Sequence, residues 1–210
     1  LDFYQYESVE IYLMATGEFS QLSQFMPLPP PWDGSIKIDS FSYRISRAGR
    51  RYVAEAVERV PEKQLRWYAF HQYMHYAVDA VSSGNAPMWL HEGLALYAEN
   101  RFAGRSLRQY RKRVRNFVVL QRRRNRPSWR SMRELEIRDA FDPAQAGGDF
   151  AAWMAYIQSL DVVEYLMSIE GEKTMVEFLK RLGEGLAPEE SLKDIYNVDY
   201  EEIERLMSWK

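Results

Sequence analysis

The chain's three histidines, His71, His75 and His91, all fall within one stretch, HQYMHYAVDAVSSGNAPMWLHE, which runs from His71 to Glu92. No other feature limits the possible folds as strongly. His71 and His75 are four residues apart, so on a helix they stand one turn above each other and aim two imidazoles at one point. SSGNAP breaks such a helix, and a second one can begin near Pro87 with Glu92 in its first turns. Two imidazoles and a carboxylate make a three-ligand zinc site that leaves a fourth position for water. The chain must therefore pack two helices so that His71 and His75 face Glu92. A histidine pair at this spacing is common on core and surface helices alike. The continuation WLHEGLALY is what adds the chain reversal, the carboxylate and the packing positions together. His91 is set aside as a ligand, because its neighbour Glu92 points about 100° away around the helix and both cannot face one metal. It is expected in the wall of the site or in solvent.

FHQYMHY followed by PMWLHEGLALYAE resembles the HExxH...WLxEGLAxY signature of the gluzincin metallopeptidases, in particular a bacterial peptidase MA-like group. The resemblance implies a zincin-like domain, zinc held by His71, His75 and Glu92, and peptide-bond hydrolysis by metal-activated water. It also extends, more weakly, to AYIQSLDVVEYLMSIEGEKTMVEFLKRL. Tyr156 in that segment matches a tyrosine of similar proteins that donates to a developing oxyanion; its alternative is a core aromatic. Glu99 and Asp79 suit second acceptors for a ligand histidine, but helix carboxylates are too common for the sequence to assign them.

One position departs from the signature. The family's general-base glutamate, directly after the first histidine, is Gln72 here. A carboxamide keeps the shape and can still hydrogen-bond a water, but it cannot take the water's proton. Binding should survive while the general-base contribution, about 10²–10⁴-fold, is lost. Two origins fit: an isosteric change that traps an inactive form, or a natural pseudoenzyme. The expected function is a zinc metallopeptidase, inactive as written. The alternative is a non-catalytic pseudopeptidase that holds an extended peptide or protein partner in the same cleft.

With 210 residues and 46% apolar content, the chain suits one medium domain able to bury a core. It has no cysteine, so a metal site must rely on histidine and carboxylate. No apolar run reaches membrane-span length, and LDFYQYESVE has neither the basic nor the apolar region of a signal peptide. The resemblance nonetheless implies an exported or membrane-anchored bacterial protein, outside the cytoplasm and close to a membrane.

The apolar pattern predicts an α+β fold, mostly helical, with a small N-terminal β-sheet and a C-terminal helical subdomain, and the resemblance implies that this is a zincin-like metallopeptidase domain. Residues 1–60 form the β-rich part, 61–103 the zinc-binding helices and 104–210 the helical subdomain, all in one structural unit. In the first part, SVEIYLMAT alternates as a half-buried strand does, Glu18 to Met26 reads as a short helix, and PLPPPWDG is a loop. SIKIDSFSYRIS and RRYVAEAVE flank the turn signal Ala48-Gly49. Zincins place an edge strand beside the cleft, where an extended substrate adds as a further strand, and Arg51 to Ala56 is the candidate. Helices are expected from Pro61 to about Gly84, from Met88 to Arg101 with Gly93 close to the first helix, and over SLRQYRKRVRNFVVLQRRRN. Four more are expected near Phe150–Ser168, Lys173–Leu182, Pro188–Ile195 and Tyr200–Ser208.

Net charge is −2, but Arg101 to Arg133 holds 13 Arg or Lys and no acid, against 15 basic and 30 acidic residues elsewhere. This stretch is expected to be a solvated face balanced by acidic neighbours, with no specific nucleic-acid partner.

Overall fold

The computed structural model describes residues 10–14, 43–47, 50–56, 62–108, 111–112, 114–116 and 129–207, with side chains at Trp67 and, among these residues, from Phe70 onward except Asp149 and Met207. The expected helix at Glu18 to Met26, the loop at 27–34 and much of the basic helix lie outside the described residues.

From Glu62 onward the regular elements are helical. The long helix α1 (Glu62–Ser82) ends where Ser83 and Gly84 take positive φ, and the Gly84 N–H bonds back to the Asp79 carbonyl. Helix α2 (Met88–Arg101) follows with Pro87 at its N-cap. Two short 3-10 turns, Glu134–Glu136 and Arg138–Ala140, lead into α3 (Pro143–Ala146), a single turn capped by the Asp142 carboxylate. Helix α4 (Asp149–Gly183) is broken inside by Gly171 at φ 77°, ψ −172°, so its two limbs match the separate segments expected on either side of that glycine. Helices α5 (Pro188–Tyr196) and α6 (Tyr200–Met207) close the chain.

The core lies where α1, α2 and α4 meet. Met74, Ala77 and Val78 of α1 pack with Trp89, Leu90 and Leu94 of α2 and with Val162, Val163 and Leu166 of α4. Met175, Phe178 and Leu182 extend it under α5 and α6, which contribute Leu192, Tyr196 and Ile203. Burying side chains of this size contributes about 1.5–3 kcal/mol each, so the helical layer is held chiefly by apolar contact.

Two expectations are corrected here. The α+β class with a small N-terminal β-sheet does not hold for the packed body: from Glu62 onward no strand is found among the described residues, and the body that carries the site is all-helical. There α2 is packed between α1 and α4, so the described core is built helix on helix. Among the described residues, strand ladders are confined to the backbone of β1 (Glu10–Met14), β2 (Tyr43–Arg47) and β3 (Arg50–Ala56). Second, Arg51–Ala56 is not an edge. It lies in β3, which pairs parallel with β1, Tyr52 opposite Glu10, and antiparallel with β2, Tyr52 opposite Ile45. Both sides of its backbone are occupied, so it has no free edge for an added strand.

Candidate metal centre

Helix α1 presents His71 and His75 one turn apart, with ring centroids 4.6 Å apart and the rings nearly perpendicular. Helix α2 brings Glu92 against them. Its Oε2 lies 3.4 Å from His71 Nε2 and 3.7 Å from His75 Nε2, and the three residues each offer a ligand atom within 4.8 Å of the others. A tetrahedral zinc with bonds of about 2.0–2.2 Å separates its ligand atoms by roughly 3.3–3.6 Å. The two distances to Glu92 are therefore close to metal-binding dimensions. Glu92 is buried, and its Oε2 accepts no hydrogen bond. A buried carboxylate oxygen without a donor, facing two ring nitrogens, is the donor set a divalent cation satisfies.

A family model described as the Peptidase MA superfamily matches residues 4–210. The chain belongs to the Peptidase MA superfamily. No curated protein and no solved structure matches it. Membership makes the chain a metallopeptidase-like protein of a typically metal-dependent superfamily, in agreement with the His71, His75 and Glu92 cluster.

Within this Peptidase MA chain the electrostatics single out the same cluster. Burial works against a charged His71, yet the Glu92 carboxylate 3.4 Å from Nε2 and the Glu99 carboxylate hydrogen-bonded to Nδ1 outweigh that and raise its pKa to about 10. Burial likewise works against ionised Glu92, but His75 first, then His71 and His91, hold its carboxyl below the ordinary value. Two carboxylates focused on one imidazole call for positive charge between them, whether a proton or a metal.

Glu99 is the functional neighbour that the sequence left unassigned. It is 1% exposed and sits two turns after Glu92 on the same face of α2. Its Oε1 is 2.6 Å from His71 Nδ1. A carboxylate only accepts, so Nδ1 carries a hydrogen, and Nε2, on the Glu92 side, is the nitrogen that can serve as a ligand once it gives up its proton. The seven-residue interval from Glu92 to Glu99 was the available signal. Asp79 does orient a histidine, but the one outside the ligand set: its Oδ1 lies 3.2 Å from His91 Nε2. His91 is buried, with its ring 5.6 Å from that of His75, so it belongs to the wall.

Gln72 is buried beside His71, and its Oε1 accepts no hydrogen bond. Tyr156 of α4 is partly buried, with its ring 5.2 Å from Phe141 and 5.8 Å from Trp153. Burial and then the charge of Glu92 push its pKa far up, so it stays a hydroxyl donor at any physiological pH. The ring also packs against the core.

Gly93 faces a different partner from the one expected. A Cβ there would lie 2.5 Å from the Ser159 carbonyl oxygen and 2.6 Å from Val163 Cγ2, so the close approach is to α4, not α1.

Proposed function

We propose that this chain is a gluzincin-type zinc metallopeptidase whose hydrolytic step is disabled by Gln72. The observation that carries the reading is the convergence of His71 Nε2, His75 Nε2 and Glu92 Oε2, with the last buried and lacking a donor. These three atoms would hold zinc, which supplies Lewis acidity to polarise a peptide carbonyl and to make water nucleophilic near neutral pH. Glu99 keeps the His71 ring turned with Nε2 inward. Tyr156 offers a hydrogen bond to negative charge developing on the carbonyl oxygen. Gln72 can orient a water through its amide but has no basic oxygen to take the proton. Its position also favours the second reading, a cleft that holds an extended peptide or protein without cutting it.

Metal analysis should find about one zinc per chain. His71→Ala should abolish it, and full occupancy in a His75→Ala, Glu92→Ala double variant would sink the ligand assignment. Gln72→Glu changes almost no volume, so fold and zinc content should stay while metal-dependent peptide cleavage appears, gaining about 10²–10⁴-fold from the restored base. The assay follows a broad pool of unfolded and peptide substrates, with chelator and His71→Ala controls. Zinc-loaded Gln72→Glu protein that cleaves nothing in the pool would favour the binding reading.

A further inference from the structure

Glu99 does not orient His71 alone. Its other oxygen, Oε2, accepts from the Arg105 guanidinium. Arg105 lies beyond the end of α2, after Gly104 at φ 70°, in a return that folds the chain back on that helix. The Arg105 N–H donates to the Glu99 carbonyl at 3.0 Å, and the Asn100 side-chain amide donates to the Arg105 carbonyl at 2.9 Å. The guanidinium lies over the ring of Trp67 on α1, 5.2 Å from its centroid, within cation–π range. One cation thus touches both helices of the cluster.

We propose that Arg105 is a positioning residue for the metal centre, acting through Glu99 on His71; this rests on the zinc reading above. A carboxylate buried to 1% exposure needs both oxygens engaged. With Oε2 fixed on Arg105, the plane of the carboxylate is set and Oε1 is left aimed at His71 Nδ1, which fixes the ring's tautomer and rotation. Trp67 and the return through Gly104 hold the guanidinium in turn, so the order runs from Trp67 to Arg105, Glu99 and His71 Nε2. The planar guanidinium suits this task, because it can stack on an indole while its edge donates to a carboxylate.

The test measures zinc affinity by competition with a chromophoric chelator, using the whole chain, its Arg105→Gln and Arg105→Lys variants, and Arg111→Ala as a control that removes the ion pairs of Arg111 to Asp161 and Glu164 of α4. Arg105→Gln should weaken zinc binding by about 10–100-fold, the usual loss on removing an outer partner of a ligand histidine, and Arg105→Lys should recover part of it. The visible spectrum of cobalt-loaded protein should change in Arg105→Gln and stay unchanged in Arg111→Ala, since only the former alters ligand orientation. Folded Arg105→Gln that binds zinc as tightly as the unaltered chain overturns the inference. If Arg105→Gln does not fold, Arg105→Lys decides, and unchanged affinity and cobalt spectrum there overturn it equally. A chain that binds no zinc in its unaltered form defeats the underlying reading instead.

Discussion

At the residue scale, His71 gives the protein a pH response that depends on whether metal is bound. Its pKa in the folded, metal-free chain is raised to about 10 from the ordinary 6.5. The fold holds this proton more tightly than the unfolded chain does. The stabilisation is therefore complete below the ordinary value and is lost as pH rises through about 10. Glu92 has the opposite sign: lowered from 4.5, it contributes above that value and ceases to as pH falls through its folded pKa. Chelator-treated protein should accordingly melt at a lower temperature near pH 9.5 than near pH 7, and His71→Ala should flatten most of that difference. Zinc affinity should move the other way, strengthening with rising pH, because His71 must give up the proton to become a ligand. Equal melting temperatures of metal-free protein across that range would show that His71 carries no such proton.

The helices are the elements that position these residues, and α2 and α4 approach closely at Gly93, next to Glu92. A methyl group there meets the Ser159 carbonyl at 2.5 Å and Val163 Cγ2 at 2.6 Å. Neither is the loose end of a flexible side chain, so the helices must separate. Gly93→Ala should cost about 1–3 kcal/mol in urea unfolding, as overpacking of a close-packed core usually does. It should also weaken zinc binding, since Glu92 moves with α2. A Gly93→Ala protein as stable as the unaltered chain would mean that α2 and α4 are farther apart than described. That a glycine was needed here could be read from the sequence, but not its partner, because both α1 and α4 flank α2 and a missing side chain points at neither. The helix boundaries were far more legible: Pro87, Gly171, Pro188 and Asn197 each mark a break or a start through local backbone preference alone.

For the molecule as a whole, local signals carried less far. Spacing within two helices was enough to bring His71, His75 and Glu92 together, whereas the edge assigned to Arg51–Ala56 failed because strand order depends on partners distant in sequence. The Arg105–Glu99 pair was hidden for a similar reason: it forms only because the chain turns back after α2. Charge shows the same contrast. The basic stretch from Arg101 to Arg133 is a single-sign block in sequence, yet in space part of it is met by acid. Arg111 lies 3.2 Å from Asp161 and 2.7 Å from Glu164, and Arg133 lies 2.6 Å from Glu189. Such partly exposed pairs contribute at most about 1 kcal/mol each, but they reduce the field available to a polyanion. Any binding to duplex DNA should therefore be independent of base sequence and fall by more than about tenfold between about 50 and 200 mM salt, as when a few phosphates are neutralised. Titration of labelled duplexes of two unrelated sequences across that salt range checks this. Tight binding that prefers one sequence and persists at the higher salt would show that the basic stretch reads nucleic acid and that the acidic helices do not screen it.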